Sequence, residues 1–237
     1  MRTVFPQAAD EDLKRAFFAG TERGFFVEVG ANDPRWISQT FAMEQRGWTG
    51  VLVEPQPDLA DALRRERSAK VFAVACSSRA AAGSWLTLHL AGPQSSFDQK
   101  LNSGEVKPHG TISVPVTTLD DILIEAGAST IDFVSIDVEG HELQVLDGFS
   151  LERWRPRLLV IEDLLTHTRL HRHLTGRGYR WIRRTGIDNW YVPAEAAAPL
   201  GIDGTWQFFN KVYLGTPFRR ARFAWRRRRA AAKVARS

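Results

Sequence analysis

An α/β fold, with a mainly parallel sheet and helices on both of its faces, is what this sequence predicts. Three observations carry the prediction. Short β-rich runs recur at spacings of roughly 20 to 25 residues, helical stretches fill the intervals, and Gly or Pro punctuates the joints. The 237 residues are 43% apolar, 25% charged and 11% aromatic, which excludes a disordered or collagenous chain. A chain of this length buries enough surface to stand as one domain without disulfides or structural metal.

The first run, Gly24-Phe-Phe-Val-Glu-Val-Gly30, is followed by a helix expected over 37–46 that closes at Gly47. The second, Gly50-Val-Leu-Val-Glu54, leads through Pro55 and Pro57 into a helix over 58–66, and the third is Lys70-Val-Phe-Ala-Val-Ala-Cys76. Residues 84–117 break the rhythm. They read as an insertion of one or two edge strands, Trp85-Leu-Thr-Leu-His-Leu90 and Thr111-Ile-Ser-Val-Pro-Val116, around a polar loop at 92–99 that makes a natural lid. Pro115 belongs at an edge because it has no N–H to give a ladder. Thr118 and Asp121 form a capping pair for the next helix. Ile131-Asp-Phe-Val-Ser-Ile-Asp137 and the run 157–161 are further strands, with helices expected over 141–146 and 164–174, and a hairpin of 179–182 with 189–192 closes the body. The organisation read from this is a helical lead-in (1–24), a domain (25–193) and an extension (194–237).

The single Cys76 fits a reducing compartment. No stretch approaches the ~18 unbroken apolar residues of a membrane span, and the start lacks the apolar core of a secretion signal. Cytoplasmic location is the expectation. Net charge is +5, yet residues 217–237 hold nine basic side chains and no acid, leaving 23 basic and 27 acidic side chains, net −4, on the rest. That tail, with Phe218, Phe223 and Trp225 among its arginines, could lie on an anionic membrane surface such as the inner membrane face, cling to nucleic acid or an anionic glycan, or simply be a solvated end. The acidic body disfavours nucleic acid as a substrate.

Glu28-Val-Gly30-Ala-Asn32-Asp33-Pro34 sits where the first strand ends, the place where open parallel sheets bind ligands. Gly30 allows a sharp turn and close approach. The Gly-x-Gly-x-x-Gly fingerprint is absent, which disfavours a pyrophosphate. A phosphate-free ligand with a ribose and an amino-acid end suits the acids there better. Glu54, 24 residues beyond Gly30, could accept hydrogen bonds from both ribose hydroxyls, or merely cap the next helix.

Asp137-Val-Glu139-Gly140-His141-Glu142 ends a strand at the same edge, a density of acids that points to chemistry. His141, in a first helical turn, would be a neutral imidazole able to accept a proton, or would only start a helix in solvent. Val145 stands where a zinc protease needs its second His. Glu162 and Asp163 with Asp137 could collect three carboxylates for a divalent cation such as Mg²⁺, or cap the following helix. His167, His171 and His173 read as a solvated helix face, and Cys76 as a small core residue beside the adenine pocket. Trp36, Trp48, Trp85 and Trp206 are sugar-stacking candidates or core.

Val27-Glu-Val-Gly-Ala-Asn32, Val53-Glu-Pro-Gln-Pro57, Val116-Thr-Thr-Leu-Asp120, 131–140, Val145-Leu-Asp-Gly148 and Arg155-Pro156, in this order and spacing, resemble the FkbM-type family of S-adenosylmethionine-dependent methyltransferases. The resemblance covers 25–192. It implies a class I methyltransferase fold, with a mainly parallel seven-stranded sheet whose last strand is antiparallel. It also implies methyl transfer to a hydroxyl of a sugar, glycan or other secondary metabolite. The family commonly has Gly where Pro34 stands and Lys where Ser135 stands. On this reading Glu28, Gly30, Asn32, Glu54, Ala75, Cys76 and Asp137 face the cofactor, Ser95 and Ser96 are lid contacts, and His141, Asp137 or Glu139 takes the hydroxyl proton. A nicotinamide-dependent oxidoreductase and a docking module with lost activity are the rivals.

Overall fold

A computed structural model describes residues 7–98, 108–163, 168–197 and 205–234. Its main sheet has seven strands: β1 (Phe25–Val29), β2 (Thr49–Val53), β3 (Lys70–Phe72), β7 (Phe133–Ile136), β8 (Leu158–Glu162), β9 (Tyr179–Thr185) and β10 (Asp188–Pro193). They lie in the order β3-β2-β1-β7-β8-β10-β9. The first five run parallel, and β10 enters antiparallel between β8 and β9. This is the class I arrangement, with the final strand reversed as the resemblance implies.

The runs that form β1, β2, β7 and β8 are apolar almost throughout because both faces are covered. Alternate residues serve two cores. Val27, Val29, Val51, Val53, Val134 and Ile136 face one layer, made with α4 (Leu119–Ala126), α5 (Glu142–Asp147) and α6 (Leu151–Trp154). Phe26, Leu52, Phe133 and Leu158 face the other, against Phe17 and Phe18 at the end of α1 (Gln7–Phe17), Met43 of α2 (Phe41–Glu44) and Leu63 of α3 (Pro57–Glu66). Trp48 is part of this core.

Two elements differ from expectation. The helix over 37–46 shrinks to α2, because residues 38–40 are held in an irregular turn by Glu28. The third run splits. β3 pairs with β2 only as far as Phe72, whose carbonyl accepts from the Glu54 amide (3.0 Å). Pro55 then has no N–H to continue the ladder, and the chain peels away to form β4 (Ala75–Cys76) in a second sheet. That sheet, β4-β6-β5, is the insertion, with β5 (Trp85–Leu90) antiparallel to β6 (Gly110–Thr117). β4 pairs with only Val116 and Thr117, so Pro115 lies where β6 has a single neighbour.

Thr118 caps α4, accepting from the Asp121 amide (3.1 Å). After α7 (Arg169–Thr175) and the β9–β10 hairpin come α8 (Thr205–Phe208), a π-helical turn (Phe209–Leu214) and α9 (Gly215–Val234).

Candidate active site

Three strand ends are sewn together at the carboxyl edge of the sheet. The amides of Gly30 and Ala31 both donate to the Val53 carbonyl (2.9 and 3.1 Å), and the Asp137 amide donates to Val29 (3.0 Å). Gly30 has φ +83°, and a Cβ there would lie 1.8 Å from the Asp137 carbonyl oxygen. Its close approach is therefore to the neighbouring backbone. Asn32 (φ 47°) and Glu139 (φ 50°) are also left-handed, an unfavourable conformation for side chains other than Gly that tends to collect at functional sites.

Around these turns lies a cleft open to solvent. Of the sequence candidates, Glu28, Gly30, Asn32, Glu54, Ser95, Asp137 and Glu139 line it. The Glu54 carboxylate is fixed at both oxygens, by the amides of Asn32 (2.9 Å) and Gln56 (2.8 Å). The Gln56 side chain holds the same carboxylate as well. Burial pushes Glu54 above the usual carboxylate range, against the pull of those two amides.

Glu28 is committed to its own protein. Its carboxylate accepts from the Gln39 amide (2.6 Å), Ser38 Oγ (2.8 Å) and Thr40 Oγ1 (2.5 Å), so it shapes the loop that walls the cleft. Arg67 braces the same loop from outside, donating to the Pro34 carbonyl (3.0 Å), Ser38 Oγ (3.0 Å) and Thr40 Oγ1 (2.9 Å) while ion-paired to Glu44.

Ala75 and Cys76 do not line the cleft. Because β4 has left the main sheet, both are buried in apolar clusters, and burial raises the Cys76 thiol far out of the nucleophilic range. The wall expected from them is supplied by the insertion instead. Leu88, Pro93 and Phe97, together with Ile37, give the cleft an apolar side that sequence reading missed. The period-2 alternation of β5, with Leu88 inward, was the available signal. Ser95 lines the cleft, whereas Ser96 is buried and donates to the Glu139 carbonyl (2.8 Å), tying the loop to the acidic turn.

Asp137, Glu139 and Glu162 bring carboxylate oxygens within 4.8 Å of one another. These three could hold a divalent cation. Asp163 is not in the group. Its amide donates to Ile187 (3.1 Å) and its carbonyl accepts from Arg184 (2.7 Å), which ties its backbone to the hairpin; Glu139 takes the place expected for it. Burial, a hydrogen bond to Asp137 and the nearby acidic charges push Glu162 far above the usual carboxylate range, so it carries a proton at neutral pH. Glu139 is pushed up to about 7 by burial, Asp137 and Glu142. Glu142, also raised to about 7 by burial, accepts from the amides of Gly140 (2.9 Å) and Val138 (3.2 Å) and so fixes the turn that carries Glu139.

His141 precedes α5 with its Nε2 3.0 Å from Ser77 Oγ and its ring against Phe97, centroids 5.0 Å apart, outside the cleft lining. Burial lowers its pKa, so the neutral imidazole arises from desolvation. His171 and His173 are not a solvated face: His171 packs on Phe208 (4.4 Å) and Tyr191, and His173 lies 3.5 Å from Asp147. His167 lies outside the described residues. Trp36, Trp85 and Trp206 are exposed.

Compared with known proteins, residues 28–181 match the profile described as the methyltransferase FkbM domain. A solved structure of human methyltransferase 10 domain containing protein is 14% identical, with 83% of this chain and 84% of that one covered at a TM-score of 0.42. No curated protein matches.

Proposed function

The chain belongs to the methyltransferase FkbM domain family, and on that premise we propose that it uses S-adenosylmethionine to methylate a hydroxyl on a sugar, glycan or other small molecule. One observation carries the cofactor assignment. Among the described residues lining the cleft, four are carboxylates (Glu28, Glu54, Asp137, Glu139) and none is Lys, Arg or His. A pyrophosphate would find no cationic side chain there to balance its charge, which counts against a nicotinamide cofactor. An adenosyl group with a sulfonium and an ammonium, and no phosphate, fits that donor set.

When bound, the cofactor supplies a methyl group on a positively charged sulfur. Glu54, oriented by the Asn32 and Gln56 amides, would take the ribose hydroxyls. Ile37, Leu88 and Phe97 would cover the apolar base and keep water out. Asp137 provides negative charge for the cationic end. Glu139 is the residue best suited to receive the acceptor's proton: it borders the cleft, and a base held up to about 7 is matched to neutral pH. The strained turn that Glu142 and Ser96 hold keeps it in place. His141 acts at a remove, by fixing Ser77 and Phe97.

Calorimetric titration with S-adenosylhomocysteine and with NAD tests this reading. Saturable binding of the first and none of the second is expected, and the reverse would return the chain to the oxidoreductase reading.

A further inference from the structure

We propose that the segment 205–234 is a docking surface for an anionic lipid bilayer and lies in its interface. Eleven large hydrophobic side chains are exposed among the described residues, and six of them fall here: Trp206 (72%), Phe209, Tyr213, Leu214, Phe218 (79%) and Trp225. Isolated exposed apolar residues are ordinary, but a concentration of this kind marks an interaction site.

The segment is anchored to the body at its start. Phe208 packs against His171 (4.4 Å) and Trp181 (5.3 Å), and Gln207 exchanges two hydrogen bonds of 3.1 Å with the backbone of Arg184 on β9. After that anchor the chain continues as α9, which carries eight basic side chains and no acid. Phe218, Ala221 and Trp225, at i, i+3 and i+7, share one side of that helix and are exposed.

Basic charge alone would suit any polyanion. The exposed side chains favour the bilayer, because the headgroup boundary receives Leu214 together with the aromatics and the arginines, whereas the bases of single-stranded RNA would stack on the aromatics alone. No helix among the described residues is long and apolar enough to cross a membrane, so the helix lies on the surface. Each basic residue held near an anionic leaflet strengthens binding about fivefold.

Co-sedimentation of the full chain tests the proposal, using vesicles of phosphatidylcholine alone or with about a third phosphatidylglycerol, and single-stranded RNA as the competing polyanion. Binding at least about tenfold tighter to the anionic vesicles is expected, weakened by about 0.5 M salt. R220Q/R222Q/R228Q should lose about a hundredfold, and F218S/W225S, which keeps every charge, at least about tenfold, both with the folded circular dichroism spectrum retained. Absence of an anionic preference would overturn the proposal. So would vesicle binding indifferent to F218S/W225S alongside tight RNA binding, which would identify a polyanion site.

Discussion

The amide of Asn32 donates to the Glu54 carboxylate at 2.9 Å, so the turn after β1 and the end of β2 hold one another in place.

Replacing Gly30 with Ala should destabilise the fold by more than about 2 kcal/mol. The new Cβ would stand 1.8 Å from the Asp137 carbonyl, at a φ of +83° that side chains rarely adopt. Urea denaturation measures this. An unchanged midpoint would mean that Asp137 yields freely, and that the edge is looser than described.

Arg67→Met should cost about 3–5 kcal/mol, because it leaves the Glu44 carboxylate without its buried partner. The same change removes the brace from Ser38, Thr40 and the Pro34 carbonyl, so ligand affinity should fall along with stability. Loss of stability with unaltered affinity would separate the loop from the cleft.

Glu162→Gln should be tolerated, because Glu162 is already neutral at pH 7 and an amide can still donate to Asp137. The pH dependence gives the sharper test. A carboxyl raised above its unfolded value of 4.5 contributes stability that is fully present below pH 4.5 and is lost progressively as pH rises above it toward the folded value. The variant has no such proton to keep, so its stability relative to the wild type should improve between pH 5 and pH 8. A constant difference across that range would mean that Glu162 is not protonated in the fold.

Glu139→Gln should lower kcat by about 10²–10⁴-fold with cofactor affinity retained. Wild-type turnover should rise with pH through about 7 as Glu139 gives up its proton. Full activity in the variant would remove the residue from the proton path.

The strands that build the edge were legible because buried parallel strands are apolar almost throughout, as in Phe25–Val29, broken only by Glu28, and Leu158–Glu162, apolar up to its final acid. Gly30, Glu54 and Asp137 followed from their places at strand ends. The errors were long-range. Nothing local in 37–46 reveals that Glu28, on another element, will take Ser38, Gln39 and Thr40 out of a helix. Nor does 70–76 show that its second half will leave for the insertion, carrying Ala75 and Cys76 away from the cleft and bringing Leu88 and Phe97 to it. Glu139 stands in the carboxylate group where Asp163 was expected, and no spacing rule shows that Ile187 and the Arg184 side chain tie the Asp163 backbone to the β9–β10 hairpin.

A crystal structure with S-adenosylhomocysteine bound tests the central claim most directly. The account predicts the ribose hydroxyls on the Glu54 carboxylate and the sulfur facing Asp137 and Glu139. A nucleoside bound elsewhere, or a cleft filled by the chain's own side chains, would contradict it.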